Sequence, residues 1–285
     1  PPTHGPGAAS WLNRLEPEHD NLRAALAWSL TRRDAEAALR LSGALRDFWY
    51  LRGHVNEGHR WLAASLAIGA DASAEHRARA LFGLGWFAND LGDPEQGMAA
   101  LRESLALYRT LGDRLGTGLA LDLLGVAAED RGSYAVAEQL MTEALACFKE
   151  VGKQHLISQA LFHLGVIAQG QGDLDLATVR YEEALGLARA EDDHFNISGP
   201  LWFRGLVYCG RGEIAAAADD LEEALAMERT LGSLEGGSPF FANVAILALA
   251  AGRPEEATRL LGTAAGLLDR QGLSFDLPER EHYEQ

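Results

Sequence analysis

Apolar positions recur along the chain at helical spacing, in paired segments separated by a glycine turn. Between about residues 74 and 272 this pair is written five times. Gly85, Gly125, Gly165 and Gly205 are each separated by 40 residues, and Ala245 holds the fifth place. Gly92, Gly132, Gly172, Gly212 and Gly252 keep the same step, as do Leu105, Leu145, Leu185 and Leu225, with Ala265 fifth. A fixed period of this length predicts an all-α solenoid of antiparallel helix pairs. Each repeat then packs on its neighbours instead of sharing one central core.

Within each unit the first helix (about 75–91, 114–131, 154–171, 194–211 and 236–251) carries a large residue early: Leu81, Leu121, Leu161, Leu201, Phe241. The small residue of the Gly85 series follows four later. Glycine inside a helix costs roughly 0.5–1 kcal/mol against alanine, so four in register imply close helix approach. At the turn, glycine supplies a left-handed residue, Asp or Ser can cap the next helix, and proline suits its first turn. The second helix pairs a small residue (Gly97, Ala137, Ala177, Ala217, Ala257) with a large one four later (Leu101, Met141, Tyr181, Leu221, Leu261). Ser104, Ala144, Ala184, Ala224 and Ala264 come three after that.

Ahead of these, residues 1–10 read as a linker, and 11–73 as helices ending in a degenerate first repeat. Helicity is expected from Trp11, with Pro17 in a first turn. A second helix runs from about Asp34, its N-cap, to Arg52, and a third from about Val55 to Ile68. A step of 39 aligns Gly53 with Gly92, Gly58 with Gly97 and Leu62 with Leu101. Residues 273–285 read as a truncated segment, and the chain as a piece of a longer protein.

The net charge of −16 argues against direct binding to nucleic acid or anionic membrane. No apolar run approaches the roughly 20 residues that span a bilayer. Cys147 and Cys209 read as reduced and buried, which points to the cytoplasm. Gly152-Lys153 lacks the rest of a phosphate-binding loop, and no metal or nucleophile motif is present. The nine histidines are scattered; His54 and His59 are five apart and do not share a face. Neither a metal site nor a cofactor is therefore expected, nor catalysis. The acidic ladder Glu103, Glu143, Glu183 and Glu223 reads as an outer, solvated position.

Leu84-Gly85, Leu124-Gly125 and Leu164-Gly165, with the turn and small residue of Gly172 to Ala177, resemble the tetratricopeptide repeat (TPR). The period of 40 departs from the common 34-residue form, and the usual proline near the unit's end is missing. The stretch Leu15 to Trp28, the stretch Phe48 to His54, and the run Gly252 to Gly262 followed by Pro278 to Glu281 resemble the superhelical sensor domain of MalT-type bacterial regulators. Such a domain follows nucleotide-binding and winged-helix modules in signal-transducing ATPases, some with an added DNA-binding domain of LuxR or SARP type. The resemblance implies a right-handed superhelix whose first helices line a concave groove. Carried onto this sequence, the family pattern places there Arg79, Phe82, Trp86, Asn89 and Asp90, then Leu119, Asp122, Val126, Glu129 and Asp130. In later copies it places Gln159, Phe162, Val166 and Gln169, then Trp202, Leu206 and Cys209. Aromatic anchors among polar groups suit a peptide or a small effector, although aromatics at helical spacing also fill cores. Arg204 breaks the pattern, standing where other copies have Leu84, Leu124, Leu164 and Val244. It either pairs with a carboxylate inside the array or faces an anionic ligand in the groove.

These features lead to a non-catalytic sensor and scaffold domain of a transcriptional regulator. Its expected partners are a protein segment or small effector in the groove and the adjacent ATPase and DNA-binding modules. The alternative is a constitutive protein–protein adaptor without an effector.

Overall fold

The computed structural model of the chain describes the backbone over residues 6–231 and 238–271, and side chains over 10–227 and 244–263. Every described element is helical, and no strand occurs among the described residues. The chain divides into two compact units, Pro1–Ala127 and Ala128–Gln285. The first contains α1 (Pro6–Leu15), a 3-10 turn (Glu16–Glu18), α2 (His19–Thr31), α3 (Ala35–Leu51), α4 (Val55–Ile68), α5 (Ala74–Asp90), α6 (Pro94–Leu111) and most of α7 (Arg114–Glu129). The second contains α8 (Tyr134–Val151), α9 (Gln154–Gly170), α10 (Leu174–Ala190), α11 (His194–Gly210), α12 (Ile214–Leu231), α13 (Ser238–Ala250) and α14 (Pro254–Gln271).

In the first unit α3 packs on α4 and α5 on α6, with α3 and α4 both meeting α5. In the second, α9 packs on α10, α11 on α12 and α13 on α14, with α9, α11 and α13 in sequential contact. This is the layered helix-pair packing of a TPR-like solenoid. The in-register glycines have the packing role their spacing implies. A Cβ at Gly85 would stand 2.6 Å from Leu101 Cγ and 2.9 Å from the Gly97 carbonyl oxygen; at Gly165 it would meet the Tyr181 ring at 2.4 Å. One cross-link recurs with donor and acceptor exchanged: Ser104 Oγ donates to the Ala78 carbonyl, and Ser158 Oγ to the Ala184 carbonyl, both at 2.8 Å. The two serines occupy opposite partners of the same pair of repeat positions.

Caps follow the sequence closely. Asp34, Asp93 and Asp173 accept from the backbone N–H three residues on, at 3.0, 3.1 and 3.0 Å. Ser133 makes no side-chain cap; its carbonyl instead takes the N–H of Val136 and Ala137. The degenerate first repeat packs as its alignment implies. Leu62 is fully buried, and Gly58 leaves room for the Phe87 and Trp49 rings.

The N-terminal reading needs correction. Helix begins at Pro6, inside the stretch read as linker, and the expected single helix is two, divided at Glu16–Glu18. Pro17 explains the division: it has no N–H to give the carbonyl four residues back, and its ring crowds that carbonyl, so α1 cannot run through it. The chain restarts as α2 after the 3-10 turn. Glycine at 272, the segment 273–285 and the side chains of Phe241, Ala264 and Ala265 lie outside the described residues.

Both cysteines are buried. In the acidic ladder Glu103 pairs with Arg77 at 2.6 Å, Glu183 with Arg180 at 2.8 Å and Glu223 with Arg189 at 2.7 Å. All three pairs lie at or near the surface, so each adds little, about 0–1 kcal/mol. No described helix is long and apolar enough to cross a membrane.

Candidate functional site

The residues expected in a groove divide between the units. Arg79, Phe82, Trp86, Asn89 and Asp122 belong to the first; Glu129, Gln159, Phe162, Gln169, Trp202 and Arg204 belong to the second.

In the first unit an aromatic and cationic cluster forms between α3 and α5. The Arg46 guanidinium lies 4.9 Å from the Phe82 ring centroid and 5.4 Å from that of Trp86. Arg46 is also paired with Asp47 at 2.6 Å. Trp86 touches Tyr50, centroids 4.6 Å apart, and stands edge-on to Phe82 at 6.1 Å. Phe82 is buried, Trp86 half-buried, and Tyr50 42% exposed. The cluster is therefore anchored at Phe82 and open at Tyr50. Partial burial raises the Asp90 carboxyl above its ordinary range, and burial followed by the Asp90 charge raises the Tyr50 hydroxyl. A stacked guanidinium over two rings gains about 0.5–2 kcal/mol per contact, more where water is excluded.

Arg79 lies on the exposed side of α5, paired with Glu75 at 3.0 Å. Asn89 is half-buried against Gly97, and its Oδ1 has no hydrogen-bond partner among the described residues. Asp122, expected on an open face, is buried.

In the second unit the corresponding residues are taken up by packing. Phe162 stacks among Phe203 at 5.3 Å and Tyr181 at 6.1 Å. Gln169 Oε1 accepts from the buried Tyr181 hydroxyl at 2.8 Å. Burial raises the Tyr181 hydroxyl, with the Glu129 charge adding to it. Glu129 itself meets His163 Nδ1 at 3.2 Å. Trp202 packs on the cluster of Leu185, Ile197 and Leu201, and Gln159 is half-buried. Of the two alternatives for Arg204, the structure contains the internal pair. Arg204 Nε and a terminal nitrogen donate to both oxygens of Asp220, at 2.8 and 2.7 Å, across α11 and α12. Glu182 stands farther off at 3.8 Å, and the guanidinium lies over the Tyr208 ring. The Asp220 hydrogen bonds raise the Arg204 pKa further.

Arg46, Asp47 and Tyr50 were not among the sequence candidates. The signal was present: carrying the step of 39 back puts Asp47 at the position of Trp86 and Tyr50 at that of Asn89. A second feature, a cavity of about 470 Å³ lined by Arg23, Glu57, Arg60, Trp61 and Ala64, lies beside α4. There Arg23 donates to both Glu57 oxygens, at 2.7 and 2.5 Å, and holds the Glu57 carboxyl down at about 2.

Among solved structures the chain is similar to NprR in complex with its cognate peptide NprX, with a TM-score of 0.67 at 15% identity, covering 92% of this chain and 78% of that one. It is similar to the apo form of RapI, with a TM-score of 0.65 at 15% identity, covering 81% and 83%. A kinesin light chain of Podosopora anserina with nearly identical TPR-like repeats gives 0.53 at 16% identity, covering 68% and 96%. At these identities the likeness shows the fold. By sequence the chain is 32% identical over 127 residues to proteins of Mycobacterium tuberculosis and Mycobacterium bovis whose names describe them as putative HTH-type transcriptional regulators. The match takes in 40% of this chain and spans 14% of the length of those relatives. The family described as the MalT-like TPR region matches residues 88–283, more than half of the chain. Stacked helix pairs, the 40-residue register and this match agree: the chain belongs to the MalT-like TPR region family.

Proposed function

We propose that this chain is a non-catalytic, peptide-binding regulatory region of a transcriptional regulator, and that the α3/α5 face of its first unit receives the peptide. The observation that carries this reading is the open end of the Arg46 cluster, where Tyr50 and Trp86 present ring surface to solvent beside a guanidinium. Aromatic anchors flanked by a few fixed polar groups are what a short peptide segment needs. The mycobacterial relatives support a regulatory context, and the peptide complex of NprR supports the ligand class. Nucleotide hydrolysis and DNA contact belong, in this reading, to other modules of a longer protein. A regulatory effect then requires the peptide to favour one of two states of the whole protein.

Peptide phage display on the purified chain, with Trp86→Ala as the counter-selection, tests this. The expected result is a set of related peptides enriched on the native chain and lost on the variant. Enrichment that is identical on both, or no enrichment above a blank surface, overturns the reading. The adaptor alternative shares the peptide but predicts no coupling to the state of the rest of the protein.

A further inference from the structure

We propose that the start of the first unit carries a binding site for a borderline divalent metal ion such as Zn2+, with Glu16, His19 and His54 as ligands. The three residues arrive from separate elements: Glu16 from the 3-10 turn, His19 from the first position of α2, and His54 from the N-cap of α4. Each offers a ligand atom, and these atoms lie within 4.8 Å of one another. His54 Nε2 stands 3.7 Å from Glu16 Oε1. The two imidazoles are in contact, centroids 4.5 Å apart.

The second observation concerns what these nitrogens lack. Nε2 of His19 and Nε2 of His54 are both withdrawn from solvent, and neither has a hydrogen-bond partner among the described residues. The His19 side chain is 9% exposed. A buried polar atom without a partner costs about 1–3 kcal/mol, and here two such nitrogens stand beside carboxylates, His54 Nε2 beside Glu16 and His19 Nε2 beside Glu57. A shared metal ion satisfies both nitrogens as neutral ligands.

The surroundings suit that role. Zn–N and Zn–O bonds of about 2.0–2.2 Å imply ligand separations near 3.3 Å in a tetrahedral site, so the trio must draw together on binding, the His54–Glu16 pair least. The outer Glu16 oxygen lies 3.2 Å from Arg52 Nε, and Arg52 is held in turn by Asn13. Arg52 thus sets a fixed positive charge beside the carboxylate. Glu57 Oε1, 3.4 Å from His19 Nε2, borders the remaining position. The Phe48 ring walls the site edge-on to His19, at 5.0 Å. Two imidazoles favour Zn2+, Co2+ or Ni2+ over Mg2+ or Ca2+. The nearby guanidiniums of Arg52 and Arg23 offset the charges of Glu16 and Glu57. The ion would tie the 3-10 turn to the starts of α2 and α4. Sequence spacing alone did not reveal this site: Glu16 and His19 stand three apart, but His54, which completes the set, is remote from both in the chain.

The test is calorimetric titration of Zn2+ into the metal-free full chain, with Co2+ absorption as a report on coordination. Binding of one equivalent, a raised melting temperature and the visible bands of four-coordinate Co2+ are expected. His54→Gln and Glu16→Gln should each weaken binding at least tenfold while the metal-free circular dichroism stays unchanged. His76→Ala, which alters the separate exposed His76–Glu36 contact, should bind as the native chain does. Undiminished binding in both ligand variants, loss in His76→Ala instead, or no saturable binding overturns the proposal.

Discussion

The two units build their first helices to one register and use the result differently. Phe82 and Phe162 are the same repeat position, as are Asn89 and Gln169, and Leu101 and Tyr181. In the second unit Tyr181 fills the helix pair, so its hydroxyl engages Gln169 and its ring stacks with Phe162. In the first unit Leu101 leaves that polar function out. Asn89 Oδ1 then has no partner, and the aromatic cluster gathers instead between α3 and α5 beneath Arg46. One exchange of a large residue thus decides whether the neighbouring polar position gains a partner: Gln169 is engaged by Tyr181 and Asn89 Oδ1 is not, while Phe82 and Phe162 make ring contacts in both units. A repeat register assigns positions to a face; the partner residue decides whether the face is used.

The contrast can be broken most forcefully at Arg204. Removing Asp220 alone strands a mostly buried guanidinium, and Asp220→Ala is expected to cost about 2–4 kcal/mol in urea unfolding. Replacing both, as Arg204→Leu with Asp220→Leu, should recover most of that loss. A double variant as unstable as the single one would show that the pair does more than neutralise itself.

Glycine substitution gives the next largest effect. Gly165→Ala drives a Cβ into the rigid Tyr181 ring, and about 1–3 kcal/mol of overpacking is expected. Gly205→Ala meets the flexible end of Leu221 at 3.1 Å, where the gain in helix propensity offsets the crowding. Thermal melts should separate the two clearly, and equal losses would remove the role given to Tyr181.

Smaller again is the amide comparison. Gln169→Ala strands the Tyr181 hydroxyl and should cost about 1–2 kcal/mol, whereas Asn89→Ala removes an unpartnered oxygen and should be nearly neutral. Chemical denaturation of both variants checks this order. The smallest expected effect is a pH dependence. Hydrogen bonds from Arg23 lower the Glu57 carboxyl to about 2 in the folded chain. Stability from that pair is therefore fully present above the unfolded pKa near 4.3 and is lost as pH falls toward 2. The melting difference between native chain and Glu57→Gln should shrink over that window, and a difference constant with pH would contradict the assignment.

The fold was legible because period, glycine register and turn chemistry all point to one architecture. Gly85 against Leu101 and the caps at Asp34, Asp93 and Asp173 follow directly from spacing. Pro17 was visible but misplaced, since a proline early in a helix and a proline between two helices look alike until the flanking helix is seen. Pro200, inside α11 where other copies have Ala80, Ala120 and Ala160, passed without notice. The candidate site was less legible. Repeat position selected Phe82, Trp86 and Phe162 alike, yet Phe82 is buried while Trp86 and Phe162 are half-buried. Asp220, the partner that explains Arg204, sits sixteen residues on in the adjacent helix, where three other copies have Ala100, Leu140 and Leu260, a further break in the apolar register that was not read. Arg46 and Tyr50 escaped because the step of 39 was used to align the helix pair but not to carry the groove positions back onto α3.

Amide hydrogen exchange on the full chain, with and without a saturating displayed peptide, tests the central contrast most directly. The account predicts slowed exchange in α3 and α5, around Tyr50 and Trp86, with α9 and α11 unchanged. Protection confined to α9 and α11, with α3 and α5 unaffected, would contradict it.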